Sequence, residues 1–182
     1  PLIAFIATHP SGGVGELWSN LAQAFEDRGC RVSRIGFFPP PDVEAQSPPA
    51  NWRFALDGRI RDPLRLLRLI AWLFSTLRAQ RPDSVVTAMP AANVLVPLVA
   101  RFASPRTRIV TTHHSPSSTH SRLLDAMDGL TGRLPRVAAI VSVSHSVGAS
   151  LSTKAAAYRA KSRTITNALP PDIERETDTI AA

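Results

Sequence analysis

The sequence predicts an α/β fold: a Rossmann-like, doubly wound, mostly parallel sheet flanked by helices. Short apolar runs without alternation, at residues 2–6 and 84–88, are typical of strands buried on both faces of a parallel sheet. Segments with helical spacing of apolar residues, such as 16–27 and 63–80, lie between these runs, and this alternation favours a doubly wound sheet. With 44% hydrophobic and 19% charged residues, the 182-residue chain has the composition of one folded domain.

The first predicted strand leads into a glycine-rich segment, Ser11-Gly12-Gly13-Val14-Gly15, and then into a helix at 16–27. We expect the glycines to form a turn, because glycine tolerates unusual backbone angles and leaves the amides open to a ligand. The N-terminus of the following helix adds N–H groups and a partial positive charge. This segment is therefore a candidate anion site. The alternative is a tight strand-to-helix turn that binds nothing.

Two common phosphate motifs do not fit this segment. A nucleotide P-loop requires a lysine after the glycines, and none follows them here. The dinucleotide fingerprint would place bulky Trp18 at its third glycine, and the second predicted strand, 30–38, ends without the acidic residue that binds a ribose. The segment stays suited to the diphosphate of a sugar nucleotide or to close backbone contact with an acceptor.

Further candidate residues follow other predicted strands at their carboxyl ends. They are Met89 and Asn93 after strand 84–88, His113 and His114 after strand 109–112, and Ser144 and His145 after strand 138–143. Ser144 is the predicted N-cap of a helix at 144–161. Because ligands of open parallel sheets bind outside the carboxyl ends of the strands, we expect the segment from His113 to His120 to share a crevice with the glycine-rich segment.

The chain carries 21 Lys plus Arg and 14 Asp plus Glu, a formal charge of +7 that favours anionic partners. Nucleic acid fits least among these, because the arginines are dispersed and no helix-turn-helix or zinc motif is present. The helix predicted at 63–80 begins with Asp62 as its N-cap. Arg61, Arg65 and Arg68 lie on one side of it together with Trp72, as on a helix bound to an anionic membrane surface. An ordinary amphipathic helix explains the same pattern and is favoured; its packed stripe would then be Leu66, Leu67, Ile70, Leu73, Phe74 and Leu77.

Six segments occur in the order and spacing of a known family. They are His9-Pro10-Ser11-Gly12-Gly13-Val14, Arg28-Gly29-Cys30-Arg31-Val32, Asp83-Ser84-Val85-Val86, Ile109-Val110-Thr111-Thr112-His113, Val141-Ser142-Val143-Ser144 and Ile165-Thr166-Asn167-Ala168-Leu169. Together they resemble the amino-terminal, acceptor-binding domain of GT-B fold glycosyltransferases, and most closely the retaining family 4. The resemblance implies that residues 1–170 form this domain and that 171–182 lead toward a donor-binding domain. That second domain would be missing here, so the chain is expected to be inactive alone.

The resemblance also implies roles for individual residues. Gly12, Gly13 and Val14 would lie near the donor diphosphate, and His113 matches the histidine that lines the reaction centre, with His114 as the register alternative. The cleft would further include His9, Met89, Asn93, Ser144 and His145. No cofactor and no metal are expected. Two alternatives concern the histidines: His113 as a hydrogen-bonded core residue, or a metal site formed by His113, His114 and His120.

The expected activity is transfer of a hexose from a nucleotide sugar to a glycan or lipid-linked acceptor, in cell-surface polysaccharide or glycolipid synthesis. The expected partners are these two substrates and an anionic membrane surface, without nucleic acid. The expected location is the cytoplasm, including the inner face of the plasma membrane. The alternative function is a stand-alone Rossmann-like module that binds a nucleotide or phosphosugar without catalysis.

Overall fold

In the described part of the chain, seven parallel strands form one sheet and confirm the predicted α/β fold. The computed structural model describes residues 1–40 and 51–166. The strands are β1 (Leu2–Ala7), β2 (Arg31–Gly36), β3 (Trp52–Phe54), β4 (Ser84–Ala88), β5 (Arg108–His113), β6 (Val137–Ser142) and β7 (Ser162–Thr164). Their order across the sheet is β3-β2-β1-β4-β5-β6-β7, and each neighbouring pair runs parallel. The carboxyl ends of the strands therefore lie along one edge, called the carboxyl edge below.

The described residues also form six α-helices. They are α1 (Gly12–Glu26), α2 (Pro63–Gln80), α3 (Pro90–Ala103), α4 (Arg122–Thr131), α5 (His145–Ser150) and α6 (Ala156–Arg159). Asp62, the predicted N-cap of α2, accepts a hydrogen bond of 2.8 Å from the N–H group of Arg65. None of the helices in the described part of the chain is long and apolar enough to cross a membrane.

The helices cover the two faces of the sheet through separate apolar clusters. On one face Phe5 of β1 packs edge-on against Trp18 of α1, with ring centroids 5.3 Å apart. Trp18 in turn stacks on Trp52 of β3. On the other face Ile6 of β1 and Leu73 of α2 belong to the larger cluster, which also includes residues of α3. The sheet is thus doubly wound, as predicted.

The strand order reverses between β1 and β4. The connection from β1 to β2 runs through α1 on one face, whereas the connection from β3 to β4 runs through α2 on the other. In open parallel sheets the crevice at such a switch point is the usual ligand site. The fold therefore directs attention to the segments that follow β1 and β4.

Several helix boundaries differ from the sequence predictions. Helix α1 begins at Gly12, so the glycines form its first turn and do not precede it. The sequence after β4 predicts a helix from about Asn93 to Ala103, but α3 already begins at Pro90, because a proline ring suits the first helical position. The single helix predicted at 144–161 is two short helices, α5 and α6, and between them Lys154 turns toward α4, where its Nζ lies 2.6 Å from Asp125 Oδ1.

The predicted packing face of α2 is correct only in part: Leu73, Leu77 and the partly buried Ile70 pack into the core, but Phe74 is exposed. The buried positions are Leu69, Leu73 and Leu77, whereas Leu67 is 62% exposed. Trp72, predicted on the basic side, packs partly against the core. Leucines surround most of the first two turns of this helix, so the sequence pattern alone does not define one face.

The predicted boundary at residue 170, the segment 171–182 and the end of the last family motif lie outside the described residues.

Gly132 directly follows α4 and leaves room for the buried ring of Tyr158. A β-carbon at Gly132 would lie 2.5 Å from Tyr158 Cδ2 and 3.1 Å from Ile140 Cδ1. We expect Gly132→Ala to lower the free energy of unfolding by about 1–3 kcal/mol, measured by urea denaturation. Gly129→Ala is the matched control, because its β-carbon would only touch Lys154 Cδ at 3.6 Å. Alanine should stabilise α4 there by up to about 1 kcal/mol. Equal effects of the two substitutions would contradict this packing.

Candidate functional site

The predicted site residues follow strands that are neighbours in the sheet. Ala7 of β1 lies opposite Ala88 of β4, which lies opposite Thr112 of β5. His113, the last residue of β5, lies opposite Ser142, the last residue of β6. The segments after β1, β4, β5 and β6 therefore lie side by side at the carboxyl edge, and those after β1 and β4 border the switch-point crevice.

The N-terminus of α1 opens on this edge. Ser11 is the N-cap, with extended backbone angles (φ −118°, ψ 154°), but its side chain makes no capping bond. Its Oγ lies 2.7 Å from His9 Nδ1 instead. The first turn, which contains Gly12, Gly13 and Val14, has no acidic residue. Because the first N–H groups of a helix lack partners within the helix, they and the helix dipole can attract an anion.

Two backbone features shape the walls of the crevice. A β-carbon at Gly15 would come within 3.0 Å of the carbonyl oxygen of Pro10, so glycine lets α1 lie close to the segment after β1. On the other wall Met89, a predicted cleft residue, has φ 75° and ψ 147°. This conformation is rare for a residue with a side chain; it costs on the order of 1–3 kcal/mol and is concentrated at functional sites.

Asn93 is a core residue and is not available to line a cleft. Predicted as a cleft residue, it is only 1% exposed. Its Oδ1 accepts a hydrogen bond of 2.7 Å from Thr87 Oγ1, and its Nδ2 donates one of 2.9 Å to the carbonyl oxygen of Thr112. A buried amide is costly unless it is hydrogen-bonded, and these bonds tie α3 to β4 and β5. The predicted cleft contact is therefore corrected to a core contact.

His113 also points into the interior. It is 3% exposed, and its Nε2 lies 3.1 Å from Tyr158 Oη and 3.5 Å from Asp128 Oδ1. The hydroxyl of Tyr158 donates to Asp128 Oδ2 at 2.7 Å, so its oxygen accepts a hydrogen bond from Nε2–H of His113. This buried His113–Tyr158–Asp128 cluster favours the structural alternative for His113. Its predicted role at the reaction centre stays a prediction.

Burial governs the charges in this cluster. It lowers the pKa of His113 to about 4, with smaller contributions from His120 and Lys154. It also raises the pKa of Asp128 and that of Tyr158 above their ordinary values. Lys154 Nζ lies 4.0 Å from Asp128 Oδ2 and partly compensates that carboxylate. At neutral pH the imidazole of His113 is therefore uncharged.

His114 directly follows β5 at the carboxyl edge, where its imidazole is half-buried. Its Nε2 lies 3.0 Å from Thr112 Oγ1, and that hydroxyl donates to the carbonyl oxygen of Thr87 at 2.8 Å. A hydroxyl has one proton, so Nε2 of His114 must carry the hydrogen of their shared bond. Burial, and to a smaller extent His113, lowers the pKa of His114. A neutral imidazole whose Nδ1 is an acceptor suits a hydrogen bond from a sugar hydroxyl.

Ser144 and His145 begin α5 at the same edge. Ser144 Oγ accepts a hydrogen bond of 3.2 Å from the N–H group of Val147, which confirms Ser144 as an N-cap. His145 is exposed. His120, considered as a metal ligand, lies with its Nε2 3.0 Å from Ser115 Oγ. The three histidines of that alternative thus have different partners, and no group of three potential ligands in the described part of the chain is arranged to hold a metal ion.

Thr112 was not among the predicted site residues, although it orients His114. Threonine is common in strands, and the carbonyl group that accepts its proton belongs to Thr87, 25 residues away. Tyr158, the partner of His113, lies 45 residues from it. In the sequence, Thr112 is noticeable only as part of the family motif at residues 109–113, and that motif assigns no role to its side chain.

The buried cluster should make stability depend on pH. The unfolded chain protonates His113 near pH 6.5, whereas the folded protein resists protonation until about pH 4. The stabilisation is complete above pH 6.5 and should fall by roughly 3 kcal/mol as the pH drops to 4. The raised pKa of Asp128 acts in the opposite direction, because the folded protein binds that proton more readily.

Urea denaturation of the wild type and of His113→Gln between pH 7.5 and 4.5 measures this dependence. Glutamine does not titrate, so the variant should be less stable at pH 7.5 and should show a flatter pH profile. His145→Gln is the control for loss of an exposed imidazole. Parallel profiles of wild type and His113→Gln would show that His113 is not the source.

Comparisons with known proteins place this chain in a family. Residues 11–173 match the model of Glycosyltransferase Family 4. No curated protein matches the sequence significantly. Among solved structures, the lipopolysaccharide outer core galactosyltransferase WaaB in its apo form is similar with a TM-score of 0.70 and 12% identity, over 93% of this chain and 46% of that one.

Two further structures have the same fold. Alr3699/HepE of Anabaena, in complex with UDP-glucose, has a TM-score of 0.67 and 15% identity, over 99% of this chain and 50% of that one. MurG of Acinetobacter baumannii has a TM-score of 0.60 and 11% identity, over 95% of this chain and 47% of that one. The chain thus spans about half the length of each of these three structures. Since the family match covers most of its residues and its fold is that of one GT-B half, the chain belongs to glycosyltransferase family 4.

Proposed function

We propose that this chain is the acceptor-binding half of a retaining glycosyltransferase, which transfers a hexose from a nucleotide sugar to a glycan or lipid-linked acceptor. One observation carries the proposal: the N-terminus of α1 and the imidazole of His114 lie at the same edge and on the same side of the sheet. Only β4 separates the strands that lead to them. A donor held between them would present its diphosphate to one and its sugar to the other.

Strand register shows on which side of the sheet each of the two histidines lies. Successive residues of a strand point to opposite faces, so Thr112 and His113 of β5 point in opposite directions. His114 follows the strand, and its Nε2 lies 3.0 Å from Thr112 Oγ1, so it is on the side of Thr112. Thr112 lies in the row of Ala88 and Ala7, which belong to the apolar cluster of α1. His113 instead contacts Tyr158, which belongs to the cluster of α2 and α3. This favours His114, the register alternative, as the histidine that meets the transferred sugar.

The first turn of α1 would stabilise the leaving group. When the bond from sugar to diphosphate breaks, negative charge develops on the diphosphate, and the N–H groups near Gly12, Gly13 and Val14 would donate to it. The absence of acidic residues from this turn suits that charge. We expect no metal, because the helix dipole and backbone donors supply the neutralisation. The complex of HepE with UDP-glucose supports a nucleotide sugar as the partner here.

The acceptor would enter at the crevice between the segments after β1 and β4. His9 and Met89 border it, and Ser144 and His145 lie further along the same edge. The formal charge of +7 suits an anionic lipid-linked acceptor at the inner face of the plasma membrane, which is our proposal for where the enzyme works. The donor-binding half, on this proposal, is a separate domain, and the chain by itself is inactive.

Substitution of His114 tests the proposal in this chain joined to a donor-binding domain of the same family. His114→Ala should lower kcat by about ten- to a hundredfold, because it removes a hydrogen bond to the reacting sugar. Thermal unfolding should change little, because His114 is half-buried and Thr112 keeps its bond to Thr87. Ser118→Ala, an exposed position of the same segment, is the control and should leave kcat unchanged.

The same measurements separate the competing explanations. Turnover of His114→Ala equal to that of the wild type would contradict the proposed role of this imidazole. If His113→Gln abolishes turnover but is as stable as the wild type at neutral pH, then His113, and not His114, lies at the reaction centre. Tight nucleotide binding by the chain alone would favour the stand-alone binding module, whereas weak or absent binding is expected here.

A further inference from the structure

Two cavities lie at the opposite edge of the sheet, where β4, β5 and β6 begin. One has a volume of about 810 Å³ and is lined by the end of α2, the end of α3 and the starts of β4 and β5. The other has a volume of about 610 Å³ and lies between the end of α3 and the starts of β5 and β6. Arg106 and Arg108 line both cavities. The strands run parallel, so this edge is separated from the carboxyl edge by the length of the sheet.

Arginines dominate the lining of these cavities. There are six of them: Arg78, Arg81, Arg101, Arg106, Arg108 and Arg136. None of the six forms an ion pair with a carboxylate of the described residues. Asp83 is the acidic residue of the lining, and its Oδ2 accepts a hydrogen bond of 2.8 Å from the N–H group of Leu2. The cavities therefore concentrate positive charge, which the carboxylate of Asp83 offsets only in part.

Helix dipoles explain only part of this arrangement. Arg78 and Arg101 lie in the last turns of α2 and α3, where a cation is favourable without any ligand. Arg106 and Arg108 lie after α3 and at the start of β5, and Arg136 directly precedes β6. No helix end accounts for these three. A bound anion could pair with these guanidinium groups.

The segment that carries Arg106 and Arg108 is held rigidly. Thr107, between them, is buried, and its Oγ1 donates to the carbonyl oxygen of Pro82 at 2.6 Å and lies 2.7 Å from Ser104 Oγ. The N–H group of Arg108 donates to the carbonyl oxygen of Asp83 at 3.1 Å. The backbone beneath the two arginines is thus fixed before any ligand arrives, and this lowers the entropic cost of binding.

We propose that this arginine-lined pair of cavities binds a ligand with phosphate groups, independently of the donor diphosphate. A guanidinium group pairs with phosphate through two parallel hydrogen bonds, and Arg106 and Arg108 can contribute to both cavities. The volumes are those of sites for small molecules or for the phosphates of a lipid headgroup. The ligand could come from two sources, a soluble phosphate compound or a lipid headgroup, and both present phosphate groups to the arginines.

Calorimetric titration of this chain with inorganic pyrophosphate tests the site. Arg106→Gln/Arg108→Gln should weaken binding at least about tenfold, because each lost charged hydrogen bond contributes a factor of that order. Arg31→Gln/Arg53→Gln is the matched control, because it removes the same charge from exposed positions of β2 and β3. It should leave the affinity unchanged. Arg136→Gln, a single substitution, should give a smaller loss and serves if the double variant folds poorly.

Flotation with vesicles of phosphatidylcholine, with and without phosphatidate, distinguishes the two sources. Pyrophosphate binding without vesicle binding would identify a soluble phosphate ligand. Binding to phosphatidate vesicles that the Arg106→Gln/Arg108→Gln variant loses would identify a headgroup. If neither pyrophosphate nor vesicle binding differs between that variant and the matched control, the proposed site does not exist.

Discussion

Parallel pairing of all seven strands is the constraint on which the rest of the structure depends. Parallel neighbours cannot be joined by a hairpin, so each connection must cross back over one face of the sheet, usually as a helix. All strands then end at one edge, and residues far apart in sequence meet there. Ser11 follows β1, and His114 follows β5. Only β4 lies between these two strands, so the backbones of β1 and β5 are about 10 Å apart in the plane of the sheet.

Buried hydrogen bonds fix the side chains at that edge. Thr112 connects the core to the site, because its hydroxyl donates to Thr87 and orients His114, while its carbonyl oxygen accepts from Asn93. On the other face of the sheet His113 is held by Tyr158, which in turn donates to Asp128. Two neighbouring histidines therefore have different tasks: one stabilises the interior, and the other is available for a ligand.

The fold could be predicted from apolar runs and helical spacing, and β4 was predicted with its observed bounds. The predicted N-caps Asp62 and Ser144 were confirmed because their signal is local. The choice between His113 and His114 could not be made from the sequence, because a shift of one residue moves a strand side chain to the opposite face. The burial of Asn93 could not be predicted either, because this residue of α3 has its hydrogen-bond partners in strands β4 and β5. The arginine-lined cavities combine residues from several distant segments, which no single pattern shows.

Binding of the donor diphosphate by the first turn of α1 is the central claim, and one pair of variants tests it directly. Ser11→Asp and Ser11→Asn both keep a good N-cap and have nearly the same shape, but only aspartate places a negative charge where the diphosphate would lie. The measurement is the KM for the nucleotide sugar, with this chain joined to a donor-binding domain. We expect the KM of Ser11→Asp to exceed that of Ser11→Asn by at least about tenfold, because like charges repel strongly at such short range. Equal KM values would show that the diphosphate binds elsewhere.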